Sequence, residues 1–249
     1  MWAATRIRPV LEGHVPDLIE TPQPRHERDR WPERLAGRAI ERIDTHGKNL
    51  FLQFEGDLVI YSHLRMTGSW RVFDAGRRWS RAQAWLVLEQ GGRTVVQLGG
   101  PVLELMTAAR VRTDPRLATL GPDVLADKFD RDSFVKRLRA DDPTRGIGDA
   151  MLDQRVVAGL GTIWRAEGCW EAAIDPWRRV SEVSDDEAVA IVEGARPRML
   201  ESGHGGPMHA GLQIYKKVGR PCPRCGTPIR ARGQGDANRT TYWCPGCQH

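Results

Sequence analysis

A chain of 249 residues with 40% hydrophobic content can hold one large hydrophobic core or two modest ones. It has no apolar run of eighteen residues and no apolar segment after the positive charges at its start, so we expect neither a transmembrane helix nor an export signal, and a soluble cytoplasmic protein. The 37 basic residues outnumber the 32 acidic ones, for a net charge of +5, and the excess is greatest near the C-terminus. This charge distribution favours a polyanion as partner.

The N-terminal part of the chain predicts a helix followed by many strands. Residues 1–14 have Ile7, Val10 and Leu11 on one helical face, although Pro9 interrupts the hydrogen-bonding pattern. A charged, proline-containing loop follows. From residue 35 to 111, short β runs alternate with glycine or polar turns at the spacing of a β-sandwich. The predicted strands are 39–43, 50–54, 58–61, 69–73, 84–89, 94–98 and 102–105.

After Pro122 the apolar spacing becomes helical. The predicted helices are 132–138, 147–154, 162–170 and 185–201, and Ser184 with Glu187 forms a capping box at the start of the last one. We therefore predict an α+β multidomain fold: an N-terminal β-sandwich domain with an N-terminal helix at 1–115, a helical domain at 116–205, and a C-terminal β-ribbon at 206–249.

Four of the five cysteines form two Cys-x-x-Cys pairs separated by eighteen residues: Cys222, Cys225, Cys244 and Cys247. Four thiolates at this spacing are typical of a tetrahedral zinc site. Redox pairs or disulfides are the alternative, but neither explains two short knuckles with proline after each first cysteine. We expect one structural Zn²⁺ that contributes on the order of 10 kcal/mol to ordering the ribbon. Cys169 is expected to be a buried structural thiol.

The segment from Met151 to Glu167 predicts a helix, a turn that contains Gly159 and Gly161, and a second helix. Such a turn presents backbone N–H groups and a helix N-terminus, which suit a DNA phosphate. An ordinary corner between two helices has the same spacing, so the spacing alone supports both interpretations equally.

The residues of this segment resemble the helix-two-turn-helix of the formamidopyrimidine-DNA glycosylase and endonuclease VIII family, whose pattern is Leu-Leu-Asp-Gln, then Ala-Gly-Ile-Gly-Asn-Ile-Tyr, then an acidic residue. Further family motifs occur in the same order along the chain, at Gly47–Phe51, Ser62–Gly68, Leu120–Asp123, and in the four-cysteine finger with Arg239 before Tyr-Trp-Cys-Pro. Five ordered motifs span nearly the whole chain, so chance agreement is negligible.

The resemblance implies a β-sandwich, a helix-two-turn-helix domain and a zinc-finger ribbon. It also implies a base-excision-repair DNA glycosylase and abasic-site lyase that acts by β,δ-elimination. Its partner is then double-stranded DNA with damaged bases or abasic sites, and we expect a monomer located at the nucleoid.

Roles for individual residues follow from the same motifs. Lys48 matches a catalytic lysine that reaches the phosphate and sugar oxygen of the lesion; by itself it would be a solvated hairpin lysine. Arg65, Met66 and Thr67 fall in the loop that fills the hole left by an extruded base, although Met66 could instead be a core residue. His46 and His63 adjoin these motifs, but no catalytic or metal-binding group surrounds them in sequence, so we expect structural roles.

The C-terminal half supplies the other predicted DNA contacts. Gly161 and Thr162 form the phosphate-binding turn, where Thr162 replaces the family's Asn and should grip less strongly because it has one donor on a shorter arm. Arg239 is expected at the phosphates that flank the extruded nucleotide. Tyr215 and Lys217 stand where the family has Tyr-Gly-Arg and are expected to contact phosphate. Gln154 should order the turn rather than touch DNA.

The chain departs from the family at its first residues. In the family, an N-terminal proline attacks C1′ of the damaged nucleotide and a glutamate follows it as acid and base. Here Trp2 aligns with the Trp of the opening Met-Pro-Glu-Gly-Asp-Thr-Val-Trp, so Met1 stands where Val is expected. Because a GTG codon encodes Val internally and Met as an initiator, we hypothesise that the true start lies six codons upstream. An amine at Met1 would be displaced by roughly 9 Å, so the chain as written should lack efficient lyase activity yet still bind DNA.

The substrate class is suggested by a short connection. Family members that prefer oxidised purines carry a long glycine-rich loop between the last helix and the finger, whereas only Ser202–Gln213 intervene here. This favours the endonuclease VIII-like branch and oxidised pyrimidines. A catalytically inactive DNA-lesion-binding protein is the alternative. An RNA-associated zinc-ribbon protein would explain the charge and cysteines but not the motifs at Lys48 and Met151–Glu167.

Overall fold

The computed structural model describes residues 1–27, 29–77, 79–205 and 211–249. They form two compact units, Met1–Ala118 and Thr119–His249. The short connection that suggested a substrate class includes residues 206–210, which lie outside the described residues. No helix in the described part of the chain is long and apolar enough to cross a membrane.

The first unit is a β-sandwich with helices at its edges. Its elements are α1 Trp2–Leu11, β1 Leu18–Glu20, α2 Pro24–Glu27, α3 Trp31–Leu35, β2 Ile40–His46, β3 Asn49–Phe54, β4 Leu58–His63, β5 Ser69–Phe73, the 3-10 turn Arg81–Gln83, β6 Ala84–Gln90, β7 Arg93–Leu98, β8 Val102–Thr107, α4 Ala108–Thr113 and α5 Pro115–Ala118. Every predicted strand is present.

Two antiparallel four-stranded sheets, β1-β6-β7-β5 and β2-β3-β4-β8, enclose the core. Alternate residues of both sheets, such as Leu52, Trp70 and Leu88, are fully buried together with the predicted face of α1. The helix runs through Pro9 but ends at Leu11 rather than at residue 14. It stops there because the backbone at Gly13 turns to donate to the Ile40 carbonyl at 2.8 Å, with a φ of +80° at Gly13.

The second unit is helical and carries a two-stranded ribbon. Its elements are α6 Arg131–Arg139, α7 Ile147–Ala150, α8 Thr162–Glu171, the 3-10 turn Val180–Glu182, α9 Asp185–Gly203, β9 Arg230–Gln234 and β10 Arg239–Trp243. The capping box is confirmed, because Ser184 Oγ accepts from the backbone N–H of Glu187 at 3.2 Å and the Glu187 carboxylate accepts from the backbone N–H of Ser184 at 2.7 Å. The predicted separation of residues 116–205 from 206–249 stays a prediction.

One predicted helix is shorter than expected. The segment 147–154 is helical only to Ala150. Beyond it, the Asp153 carboxylate accepts from the backbone N–H of Arg155 at 2.9 Å, and the Gln154 amide donates to the Leu152 carbonyl at 3.0 Å. These local bonds compete with the helical pattern. Cys169 is fully buried on α8, so its predicted burial is confirmed, and burial raises the pKa of its thiol to about 12.

Candidate nucleic-acid interface

The β2–β3 turn presents Lys48 at one end of the sandwich. His46 pairs with Asn49 across a two-residue turn in which Gly47 has a φ of +57° and Lys48 is exposed. Asn49 is buried beneath the turn, donates to the His46 carbonyl at 2.9 Å and accepts from the Tyr61 hydroxyl at 3.0 Å. The hydrogen bonds of Asn49 therefore fix the turn that carries Lys48.

The loop between β4 and β5, residues 64–68, lies at the same end of the sheet, because His63 pairs with Asn49 in the register of β3 and β4. Met66 is 88% exposed at its tip, so the interpretation of Met66 as a core residue is wrong. Thr67 Oγ1 donates to the Gly99 carbonyl at 3.1 Å. A Cβ on Gly68 would lie 2.9 Å from Gly100 Cα, so the two glycine-containing loops pack too closely for a side chain there.

His63 joins this group, although its sequence context predicted only a structural role. Its Nδ1 accepts from the backbone N–H of Arg65 at 3.2 Å, which helps to hold Arg65 at a φ of +45°. Burial lowers the pKa of His63, and the charges of Lys48 and Arg65 lower it further. The structure thus brings Lys48, His63 and Arg65 together, and His63 is neutral near pH 7.

In the second unit, the turn before α8 is held by the Gln154 side chain, which confirms its predicted ordering role. The Gln154 amide donates to the Leu160 carbonyl at 3.0 Å and accepts from the Gly159 N–H at 3.0 Å, where Gly159 has a φ of +102°. Gly161 then caps α8 without a side-chain hydrogen bond, and Gly161 and Thr162 are half-buried. The first N–H groups of a helix have no partner within it, so this ten-residue helix offers donors to an anion.

Glu167 of α8 anchors the segment before the ribbon. Its carboxylate is 1% exposed and accepts from the backbone N–H groups of Gln213, Ile214 and Tyr215 at 2.8, 3.0 and 2.9 Å. The ring of Tyr215 then meets Tyr242 edge-on, with centroids 5.0 Å apart. The Lys217 ammonium donates to the Leu212 carbonyl. Tyr215 and Lys217 are therefore both positioned by contacts near their own segment.

Arg239 begins β10 beside the tip of the ribbon, paired with Gln234 of β9. Its side chain is exposed, and none of the described residues provides an acceptor for its guanidinium. An exposed guanidinium at a hairpin tip is suited to two phosphate oxygens at once.

The motifs in the sequence predicted no role for Arg165, yet this residue joins α8 to the ribbon. It is fully buried, and its Nη2 donates to the Thr240 carbonyl at 2.7 Å. Gln234 lies beside it, accepting from Thr241 Oγ1 at 2.8 Å and donating to the Pro176 carbonyl at 2.7 Å. Burial lowers the pKa of Arg165. An arginine inside the otherwise apolar run Ile163-Trp164-Arg165-Ala166 is the signal that could have revealed it.

The four predicted zinc ligands come together in the ribbon. Their sulfur atoms all lie within 4.8 Å of one another, with Cys222 to Cys247 at 3.8 Å and Cys225 to Cys244 at 3.4 Å. Zn–S bonds of about 2.3 Å in a tetrahedron require S–S edges of about 3.8 Å, so the cluster fits Zn²⁺. The indole N–H of Trp170 donates to Cys222 Sγ at 3.3 Å, an outer contact that orients this ligand.

Residues 4–99, 120–204 and 219–249 match three domain families in turn: the formamidopyrimidine-DNA glycosylase N-terminal domain, the formamidopyrimidine-DNA glycosylase H2TH domain, and the zinc finger found in FPG and IleRS. The chain is 37% identical to probable endonuclease 8 2 of Streptomyces coelicolor over 261 residues, covering 100% of this chain and 92% of that protein. It is 29% identical to endonuclease 8 of Escherichia coli over 231 residues, covering 88% and 87%.

A solved structure is similar along the same length. The Lactococcus lactis Fpg in complex with DNA that contains an abasic site matches with a TM-score of 0.84 and 25% identity, covering 99% of this chain and 97% of that one.

Proposed function

This chain belongs to the formamidopyrimidine-DNA glycosylase and endonuclease VIII family, and on that basis we propose that it excises oxidised pyrimidines from DNA by way of an N-terminal proline. It is a DNA glycosylase and abasic-site lyase for damaged bases, with one structural Zn²⁺. The observation that carries the proposed binding of damaged DNA is the 88% exposed Met66, in the loop next to Lys48, His63 and Arg65. An exposed apolar side chain among cations suits a duplex from which a base has been extruded.

We propose that some of these residues contact the damaged nucleotide and that the others contact the DNA phosphate backbone. Met66, with Arg65 and Thr67, fills the space of the extruded base, and Lys48 binds the phosphate and sugar oxygen of the lesion. The N-terminus of α8 at Gly161 and Thr162 binds a phosphate. The remaining contacts are to phosphates near the lesion, from Arg239, Tyr215 and Lys217.

The proposed nucleophile is the secondary amine of a proline that precedes Trp2, followed by a glutamate. The amine forms a bond to C1′ while the damaged base leaves with a proton from the acid, and the sugar ring opens to an iminium ion. The iminium acidifies the C2′ proton, whose removal expels the 3′-phosphate; a second elimination expels the 5′-phosphate. Lys48 stabilises the negative charge near the sugar during these steps. We propose that the enzyme acts in the cytoplasm, at the nucleoid.

The first experiment is the mass of the N-terminal peptide of the protein isolated from its native cell, followed by borohydride trapping on lesion DNA. A mature end of Pro-Glu, together with a trapped covalent complex on oxidised pyrimidines rather than on oxidised purines, is expected. An end at Met1 without trapping would leave a lesion-binding protein and refute the lyase mechanism. Trapping mainly on oxidised purines would refute the substrate class.

A matched pair of variants tests the role of Lys48 in the same assay. Lys48→Gln should lower the trapping rate by a factor of 100 or more, given roughly 3 kcal/mol from a charge placed at the reacting sugar. Arg42→Gln removes an equal charge from an exposed residue paired with Asp44 at 2.6 Å, and should leave the rate unchanged. Equal rates for the two variants would contradict a catalytic role for Lys48.

A further inference from the structure

A cleft of about 630 Å³ lies on the outer face of the β1-β6-β7-β5 sheet. On β5, Trp70 and Val72 pack into the core, so the alternate residues Ser69, Arg71 and Phe73 face outward into the cleft. Trp79 and Trp85 complete an aromatic wall with Phe73, and all three are half-buried. Trp79, Phe73 and Leu98 pack on the buried Val87 and Val96, which fixes the wall to the sheet.

The polar side chains that line the cleft are one cation and several neutral groups. Among the described residues that line it, Arg71 is the one charged side chain and no carboxylate is present. The Arg71 guanidinium is exposed and has no acceptor within the described part of the chain. Ser69, Ser80 and Gln83 add neutral donors and acceptors. An aromatic surface beside one cation and neutral polar groups suits a nucleobase that carries a phosphate.

The cleft is continuous with the loop that carries Met66. Thr67 and Gly99 line its end, and they are hydrogen-bonded to each other at 3.1 Å. A DNA strand that contacts Met66 therefore reaches the cleft within a short distance along the same surface. An acidic peptide would also satisfy Arg71, but this continuity favours DNA as the occupant.

We propose that this cleft binds one unpaired nucleotide of a single-stranded DNA segment next to the lesion, with its base on the aromatic wall and its phosphate on Arg71. The proposal rests on the DNA-repair function proposed above and adds a preference for lesions beside gaps or unpaired ends. A paired base cannot occupy the cleft because both of its faces are stacked within the duplex, whereas an unpaired base is free to stack on protein aromatics.

The test compares binding of two abasic-site DNAs by fluorescence anisotropy. One is a continuous duplex; in the other, the nucleotides that flank the lesion on one side are single-stranded. Stacking of one base on an aromatic side chain corresponds to roughly tenfold in affinity, so the wild-type protein should bind the partly unpaired DNA about tenfold more tightly. Arg71→Gln and Trp79→Leu should lose this gain and retain the affinity for the continuous duplex. Arg42→Gln, the charge-matched control from the other sheet, should retain both.

Several results would overturn the proposal. The wild-type protein could show no gain on unpaired DNA, or both cleft variants could keep the gain. An equal loss on both DNAs in Arg71→Gln would reveal an ordinary phosphate contact and no nucleotide cleft. Failure of the proposed function looks different, because no covalent complex would then be trapped on lesion DNA by borohydride. The gain on unpaired DNA would still be measurable in that case.

Discussion

Substitution of Glu167 by glutamine tests how the second unit holds the segment before its ribbon. Glu167 Oε1 accepts from Ile214 and Tyr215, and Oε2 accepts from Gln213 at 2.8 Å and from Arg198 Nη1 at 3.0 Å. An amide keeps one acceptor oxygen and presents an NH₂ group to the other two donors. We therefore expect Glu167→Gln to lose two charge-assisted hydrogen bonds of about 1.5–3 kcal/mol each.

The expected decrease in the free energy of unfolding is about 3–5 kcal/mol, the range typical of breaking a buried ion pair. Urea unfolding of the zinc-loaded protein, followed by tryptophan fluorescence, measures it. The matched control is Glu171→Gln, because Glu171 binds the same Arg198 at 2.9 Å but is 43% exposed. An exposed pair contributes about 0–1 kcal/mol. If Glu167→Gln destabilises no more than Glu171→Gln, the buried carboxylate does not anchor this segment as argued.

Three further predictions concern the loop, the metal and pH. Met66→Ala should weaken binding to abasic-site DNA on the order of tenfold in an anisotropy titration, yet change the free energy of unfolding by less than about 0.5 kcal/mol, because the side chain is 88% exposed; a large loss of stability would contradict its exposure. Removal of Zn²⁺ by a chelator should unfold the ribbon and abolish DNA binding together, with recovery on Zn²⁺ but not Mg²⁺ addition; binding that survives metal loss would contradict the structural role. Burial lowers the pKa of both His26 and His63 from 6.5, so the unfolded state binds protons more readily. Their contribution to stability is present above pH 6.5 and lost as pH falls through the lowered values. The slope of Tm against pH between 7.5 and 5 should therefore decrease in His63→Gln, and an unchanged slope in this variant would contradict the argument.

The elements that periodicity predicted are those whose patterns are local. The strands β2–β8 are short runs rich in apolar residues between glycine or polar turns, and α9 starts at a capping box, so each could be predicted from neighbouring residues. Strand β1 was missed because its three residues lie in a proline-containing segment, and it exists through pairing with β6, where Leu18 faces Glu89. A strand specified by a partner about seventy residues away leaves little trace in its own sequence.

The same distinction applies to the candidate site. Lys48 and Met66 lie in sequence motifs from which their roles were predicted. The positions of His63 and Arg165 depend on partners that folding brings together from elsewhere in the chain. Arg165 meets Thr240 across 75 positions of sequence. His63 meets Lys48 through the register of β3 and β4. No spacing rule predicts such contacts, and the one local sign of Arg165 was a cation in an apolar helical run.

Helix α8 explains why these scattered residues form one arrangement within the second unit. Its N-terminus follows the turn held by Gln154, Arg165 bonds to the carbonyl of β10 next to Arg239, and Glu167 holds the backbone that leads to Lys217. Near its end, Trp170 donates to the zinc ligand Cys222. A rigid helix rises about 1.5 Å per residue, so these contacts place the turn before α8, the ribbon and the four-cysteine cluster at set positions along one axis. A buried, partly unsatisfied Arg165 is expensive for stability alone. Its bond to β10 orients the ribbon relative to α8, a role that an apolar residue of the same size could not fill.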